Sequence, residues 1–275
     1  MTSEIPSNPS AERGRGRNRP PPRPVEVVSV ERITPRLVSV VFGGEALAGF
    51  REPQPTAHIK LFLPDEAGNL PLPTAGPDGL VWPRGRPTMR TFTPRRYDAA
   101  GKTLEVQFVL HGDGVASRWA ERAVPGDRTA IGGPGGGLVP AAADWWIGAD
   151  ESALPAAATL VEALPATATA EVHLEVEDEQ DHADLFDHPG VTVFWHDRRN
   201  RSDDHTSWGA GLLDALRNAA LDPHSQVWVA CEASAVRRAR AHLLTDRSHL
   251  RSQVTTRGYW RLGEANHPDH DYGED

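Results

Sequence analysis

A chain of 275 residues, 39% hydrophobic and 24% charged, has the length of two ordinary domains and the composition of a globular protein. Its net charge of −9 speaks against generic nucleic-acid binding, and its single cysteine, Cys231, excludes an internal disulfide, a cysteine-ligated iron–sulfur cluster and a four-cysteine zinc site. No stretch of about 18 apolar residues offers a transmembrane helix, and no apolar segment follows the basic start as in a secretory signal, so a cytoplasmic protein is expected.

Residues 1–22 are dominated by Pro, Arg, Gly, Ser and Asn and read as a disordered arm, too poor in apolar surface to offset its ordering entropy. Its arginines, Arg13, Arg15, Arg17 and Arg19, read as solvated. From residue 23 the pattern becomes β-like. Val25–Val30, Leu37–Phe42, His58–Leu63, Thr103–Leu110 and Asp127–Ile131 are short strand signals, and residues 64–87 form a long Pro/Gly-rich loop. Short strands with one helical stretch predict an antiparallel β-barrel over residues 23–140.

Within it, Arg90-Thr91-Phe92-Thr93-Pro94-Arg95 sets guanidinium forks, an aromatic ring and hydroxyls in one strand-like segment. An Arg fork matches phosphate oxygens, Phe can stack on a flat ring, and Thr can hydrogen-bond a ring nitrogen. A flavin dinucleotide needs all three; a β-edge carrying two solvated arginines is the alternative. His111-Gly112-Asp113-Gly114 then leads into a helix through Ala116, Ser117 and Trp119. Its free N–H groups and positive dipole end suit a pyrophosphate.

After the glycines at 132–137 the grammar changes. Strands at 144–149, 169–176, 191–196, 226–231 and 253–260 alternate with helices at 151–164, 207–219 and 233–244. This alternation predicts a Rossmann-like parallel sheet over residues 141–266, with an acidic, frayed tail at 267–275. In its first turn Asp150 reads as a helix cap, with Glu151 in the first turn; two carboxylates there would repel a pyrophosphate. Cys231 is either a buried filler or a group facing a ligand. Arg198, Arg199 and Arg201 follow a strand at the sheet's carboxyl end, where they would hold a phosphate or an anionic chelate unless they form a solvated loop. His173, His182 and His188, set among acids, read as a solvated face, and no metal site is assigned.

The segments Arg90–Arg95, Phe108–Trp119, Ala149–Pro155 and Gly258-Tyr259-Trp260-Arg261 together resemble the siderophore-interacting proteins, FAD-dependent ferric-siderophore reductases related to ferredoxin–NADP reductases. The resemblance spans roughly residues 23–266 and implies a flavin-binding barrel followed by a nucleotide-binding α/β domain. It implies FAD as cofactor, NADPH or NADH as electron donor or a ferredoxin in its place, and a ferric siderophore as substrate. Carried over by residue, Arg90 is a phosphate ligand, with Thr91 beside it. Thr93 stands near flavin N5 as the catalytic position. Phe92 stands where the family usually has Tyr, one hydrogen bond poorer. Val109 and His111 line the flavin, while Ala116, Ser117 and Trp119 reach its pyrophosphate and adenine. Asp150, Ser152, Ala153, Cys231 and Trp260 are the positions offered to the nucleotide, and Arg198, Arg199 and Arg201 those offered to the substrate. A flavin reductase with another acceptor, or a non-catalytic binder of flavin or ferric chelate, remains open at this point.

Overall fold

A computed structural model describes residues 20–112, 114–200, 208–268 and 271–273. The arm at 1–19 and Arg201 therefore lie outside the described residues. The first half holds β1 (Arg23–Thr34), β2 (Leu37–Gly43), β3 (His58–Leu63), β4 (Thr74–Gly76), β5 (Gly79–Val81), β6 (Thr88–Phe92), β7 (Pro94–Asp98), β8 (Thr103–Val109), α1 (Val115–Arg122) and β9 (Arg128–Gly135). Seven of these strands make one antiparallel sheet in the order β6-β3-β9-β1-β2-β8-β7. The two end strands, β6 and β7, are joined by the single residue Thr93. Opposite edges that lie one residue apart along the chain require the sheet to curl round on itself, the barrel predicted from the sequence.

Alternation fills the barrel: Val40, Phe42, Ile59, Leu61, Leu104, Val106, Phe108 and Ile131 are buried inside it. The expected loop at 64–87 carries a small hairpin, β4–β5, paired only with itself.

The second half holds β10 (Asp144–Asp150), α2 (Leu154–Glu162), β11 (Thr169–Val176), β12 (Val191–Asp197), α3 (Ala210–Asn218), β13 (Gln226–Glu232), α4 (Ala233–Ala241) and β14 (Val254–Trp260). Its five strands are all parallel, in the order β12-β11-β10-β13-β14. Trp145–Asp150 and Val227–Glu232 are buried throughout, as strands covered on both faces must be. Ile147, Val172 and Trp228 pack against α2 on one face; Trp146, Val227, Val229 and Cys231 pack against α3 and α4 on the other. No helix among the described residues is long and apolar enough to cross a membrane.

Polar contacts join the halves. Arg95 makes a two-pronged pair with Glu162 of α2, at 2.7 and 2.6 Å. Asp181 takes bonds from Arg36 at 2.5 Å and Thr34 at 3.1 Å. The tail corrects the expectation of fraying. Gly258 N–H donates to the Asp271 carbonyl at 2.9 Å, and Thr256 Oγ1 to the Tyr272 carbonyl at 2.5 Å. The Asp271 carboxylate also meets Arg237 at 3.1 Å and His267 at 2.9 Å. These contacts hold Asp271 and Tyr272 against β14.

Candidate functional site

The break at Thr93 sorts the side chains of Arg90–Arg95. Arg90 and Phe92 share one face of β6, opposite Leu61 and Ile59. Thr91 takes the other face, where its hydroxyl accepts from Lys60 Nζ at 2.6 Å. Arg90 Nη1 donates to the Met89 carbonyl at 2.9 Å and to Asn266 Oδ1 at 3.3 Å. Both partners are neutral, so no described carboxylate neutralises this guanidinium. Arg95 is the opposite case: its fork is consumed by Glu162, and it serves as a strut between the halves. A cleft of 630 Å³ along β7 and α2 is lined by Arg95, Arg96, Tyr97, Thr159 and Glu162, and includes none of the site residues assigned from the sequence.

Phe92 is half-buried, its ring 4.5 Å from that of Phe108 on β8. This contact brings the end of β6 to the strand that leads into α1. Thr93 is buried and its hydroxyl shares a hydrogen bond with that of Tyr259 on β14. Burial pushes the Tyr259 phenol up to about 12, so it stays neutral and serves as a fixed partner.

The turn into α1 is built tightly. Val109 ends β8, half-buried, and His111 is exposed. The His111 N–H donates to Ser117 Oγ at 3.0 Å, folding the turn onto the helix. A Cβ on Gly114 would lie 2.7 Å from the His111 ring, so a larger residue there would push that exposed ring aside. The N-cap of α1 is Gly114, which has no side chain to cap it, and among the described residues no side chain accepts from the N–H groups of Val115 or Ala116. Trp119, expected at the adenine, is half-buried. Its ring stacks on Phe42 at 6.0 Å and lies 5.8 Å from Phe108, packed on the barrel core.

The parallel sheet has its switch point between β10 and β13, the usual crevice for a nucleotide. Asp150 and Glu232 end these strands. Asp150 Oδ1 accepts from the Ser152 N–H at 3.0 Å, the capping role read from the sequence, and Oδ2 accepts from Trp260 Nε1 at 2.7 Å. Burial, with Glu151 adjacent, raises the Asp150 carboxyl to about 7 despite the bonds from Ser152 and Trp260. Ala153 is buried in the core under α2, and Ser152 also bonds Asp150 through its hydroxyl at 2.5 Å. Glu232 accepts from Ser234 and Ala235 N–H at 2.7 and 3.1 Å. Glu175, on β11, accepts from Gly209 and Gly211 N–H at 2.6 and 2.7 Å. Gly209 has φ of 75°, and a Cβ there would lie 2.3 Å from that of Ala235.

Arg198 is not the free anion receptor expected. It is buried, paired with both oxygens of Glu151, close to Glu175, and laid over the Trp208 ring at 4.1 Å. Burial alone would lower its pKa, but Glu151, Glu175 and Asp150 hold it raised. Arg199 is exposed but pairs with Asp178 at 2.8 Å and Glu177 at 3.4 Å. Cys231 falls on the α3/α4 face with Val227 and Val229, and burial pushes its thiol well above the ordinary value. The structure thus places it as a core filler. His173 also leaves its expected solvated face: it is buried between Trp146 and Phe194, at 4.9 and 4.8 Å, and burial lowers its pKa to about 4.

Tyr259, Glu175, Glu232 and Asn266 are additions to the residues read from the sequence. Glu232 carried a local signal, a carboxylate just before Ala233-Ser234. Glu175 carried none, because its partners lie 34 and 36 residues away.

Comparison with known proteins gives these arrangements a family. Residues 26–138 match the siderophore-interacting FAD-binding domain, and residues 142–263 match the siderophore-interacting protein domain. Ferric vibriobactin reductase ViuB of Vibrio cholerae serotype O1 is 32% identical over 259 residues, covering 91% of this chain and 93% of the relative. An NADPH-dependent ferric-chelate reductase of Escherichia coli is 43% identical over 118 residues, 42% of this chain and 46% of the relative. The crystal structure of a siderophore utilization protein from T. fusca superposes with a TM-score of 0.80 at 35% identity, covering 92% of this chain and all of that one. The chain therefore belongs to the siderophore-interacting protein family.

Proposed function

We propose that this protein is an FAD-dependent oxidoreductase that reduces ferric siderophores in the cytoplasm and releases Fe(II), with NADPH or NADH as electron donor. Relatives named as ferric vibriobactin reductase and NADPH-dependent ferric-chelate reductase support this reading. The observation that carries the site is Arg90, neutralised by no described carboxylate, on a strand whose end meets the strand leading into α1 through the Phe92–Phe108 contact.

The residues fit FAD. Arg90 offers a guanidinium fork to phosphate oxygens, and the Val115 and Ala116 N–H groups offer a second set of donors at a helix start. Phe92 supplies a stacking face. It lacks the hydroxyl of a tyrosine, and with it one hydrogen bond of about 1 kcal/mol. Thr93 is the residue we assign to the reacting nitrogen; Tyr259 fixes its hydroxyl from the other half of the molecule. FAD, when bound, supplies the redox chemistry, taking up a hydride and giving up electrons singly. Oxygen-rich chelators hold Fe(II) less tightly than Fe(III), so reduction frees the metal. A ferredoxin is a second candidate donor.

Anaerobic mixing tests this directly. NADPH or NADH should remove the visible absorbance of the bound flavin, and a ferric siderophore should restore it. Absorbance that a ferric siderophore does not restore would move the acceptor to another class. Failure of NADH, NADPH and reduced ferredoxin alike would refute the reductase.

A further inference from the structure

We infer that the electron donor engages this protein by its nicotinamide portion, without seating its pyrophosphate at the carboxyl edge of the parallel sheet. The inference rests on the reading above that the donor is a nicotinamide nucleotide. Folds of this kind receive dinucleotide phosphates on the free N–H groups of helix starts around the switch point. Here the chain's own carboxylates already fill those places. Asp150 takes the N–H of Ser152 ahead of α2, Glu175 takes those of Gly209 and Gly211 at α3, and Glu232 takes those of Ser234 and Ala235 at α4.

These carboxylates are not a movable cover. Asp150, Glu175 and Glu232 are 2%, 0% and 4% exposed, and each belongs to a central strand or its last residue. Glu151 adds a further negative charge, and the guanidinium beside it, that of Arg198, is already held by Glu151 and the Trp208 ring. A phosphate arriving at any of the three starts meets a buried carboxylate where it needs a donor. The donor's phosphates and adenosine therefore remain outside the edge, and they contribute little to recognition.

The test uses the FAD-loaded full chain. Calorimetry with ADP-ribose and with inorganic pyrophosphate should give no saturable binding tighter than about 1 mM. Reduced nicotinamide mononucleotide, which has no pyrophosphate, should reduce the flavin with a second-order rate within about fivefold of NADH and NADPH. ADP-ribose binding tighter than about 100 μM, or a loss of more than about 30-fold with the mononucleotide, would overturn the inference. If no nicotinamide donor reduces the flavin while reduced ferredoxin does, the donor reading fails, and the ADP-ribose measurement still decides what the crevice accepts. A gain of function adds a second arm. Glu175→Ala frees the Gly209 and Gly211 N–H groups, so pyrophosphate should raise the variant's Tm and leave the native protein's unchanged. If that variant does not fold, the native-protein measurements stand alone.

Discussion

Arg90 and Arg198 are the same side chain in opposite electrostatic settings. Arg90, on the barrel seam, is bonded to a carbonyl and an amide oxygen and keeps its full charge available. Arg198, at the edge of the parallel sheet, is buried and neutralised by Glu151, with Glu175 close by. Carboxylates also stand at the N–H groups near Arg198: Asp150 accepts in the turn before α2, Glu175 at the start of α3 and Glu232 at the start of α4. The barrel half thus offers an anion a guanidinium that no described carboxylate neutralises, while in the α/β half the buried guanidinium of Arg198 is already paired within the chain. An arginine count or a fold name would treat the two edges as equivalent; their charge partners show that they are not.

The sharpest way to break this contrast is at Arg198. Arg198→Leu strands buried carboxylates and should cost about 3–5 kcal/mol of stability in denaturant unfolding. The folded fraction should keep its flavin, and loss of flavin there would mean that Arg198 serves the cofactor after all. Arg90→Ala should do the reverse. Losing a charge-assisted phosphate contact, worth about 2–3 kcal/mol, should yield largely flavin-free protein with near-normal unfolding. A normal ratio of flavin to protein absorbance would remove Arg90 from the site.

Acid stability tests the interior of the α/β half. His173, lowered to about 4, contributes stability that is present above its unfolded value near 6.5 and is lost as pH falls toward 4. Asp150, raised to about 7, contributes in the opposite sense: its stability is full below the unfolded value near 4 and is lost as pH rises toward 7. Between pH 7 and 5 each contribution changes by about 2 kcal/mol, so they largely cancel in the native protein. His173→Phe should therefore gain stability on acidification to pH 5, and Asp150→Asn should lose it, as read by urea midpoints. A flat response in both variants would show that neither group is held as described. The smallest effect is expected from Phe92→Tyr. Restoring a hydroxyl should slow flavin loss by about fivefold, one hydrogen bond's worth; an unchanged rate would mean that the ring acts through its face alone.

Much of this was legible in the sequence because period and chain order carry it. Alternation marked the barrel strands, and the α/β series marked the parallel sheet. The sequence left Cys231 open between a buried filler and a group facing a ligand, and the structure puts it with Val227 and Val229 on the face that α3 and α4 cover. What the sequence concealed was the partner of each charge. Arg90 and Arg95 look alike within one hexapeptide. A one-residue break at Thr93 and a carboxylate 67 residues away decide which of them is free. Arg198 is likewise consumed by a residue 47 positions earlier. Local pattern supplies element type; it does not supply contacts between distant strand ends. The docked tail was missed for the same reason, since its acidic composition says nothing of the Gly258 and Thr256 groups that receive it.

That tail has a bearing on solubility. β14 is the last strand of its sheet, and among the described residues no other strand pairs with its outer flank. The Asp271 and Tyr272 carbonyls take up the Gly258 N–H and the Thr256 hydroxyl along this strand. A strand edge left bare is a template for a second chain. Asp271 and Tyr272 therefore cover part of this edge, and removing them should promote edge-to-edge self-association before it touches electron transfer.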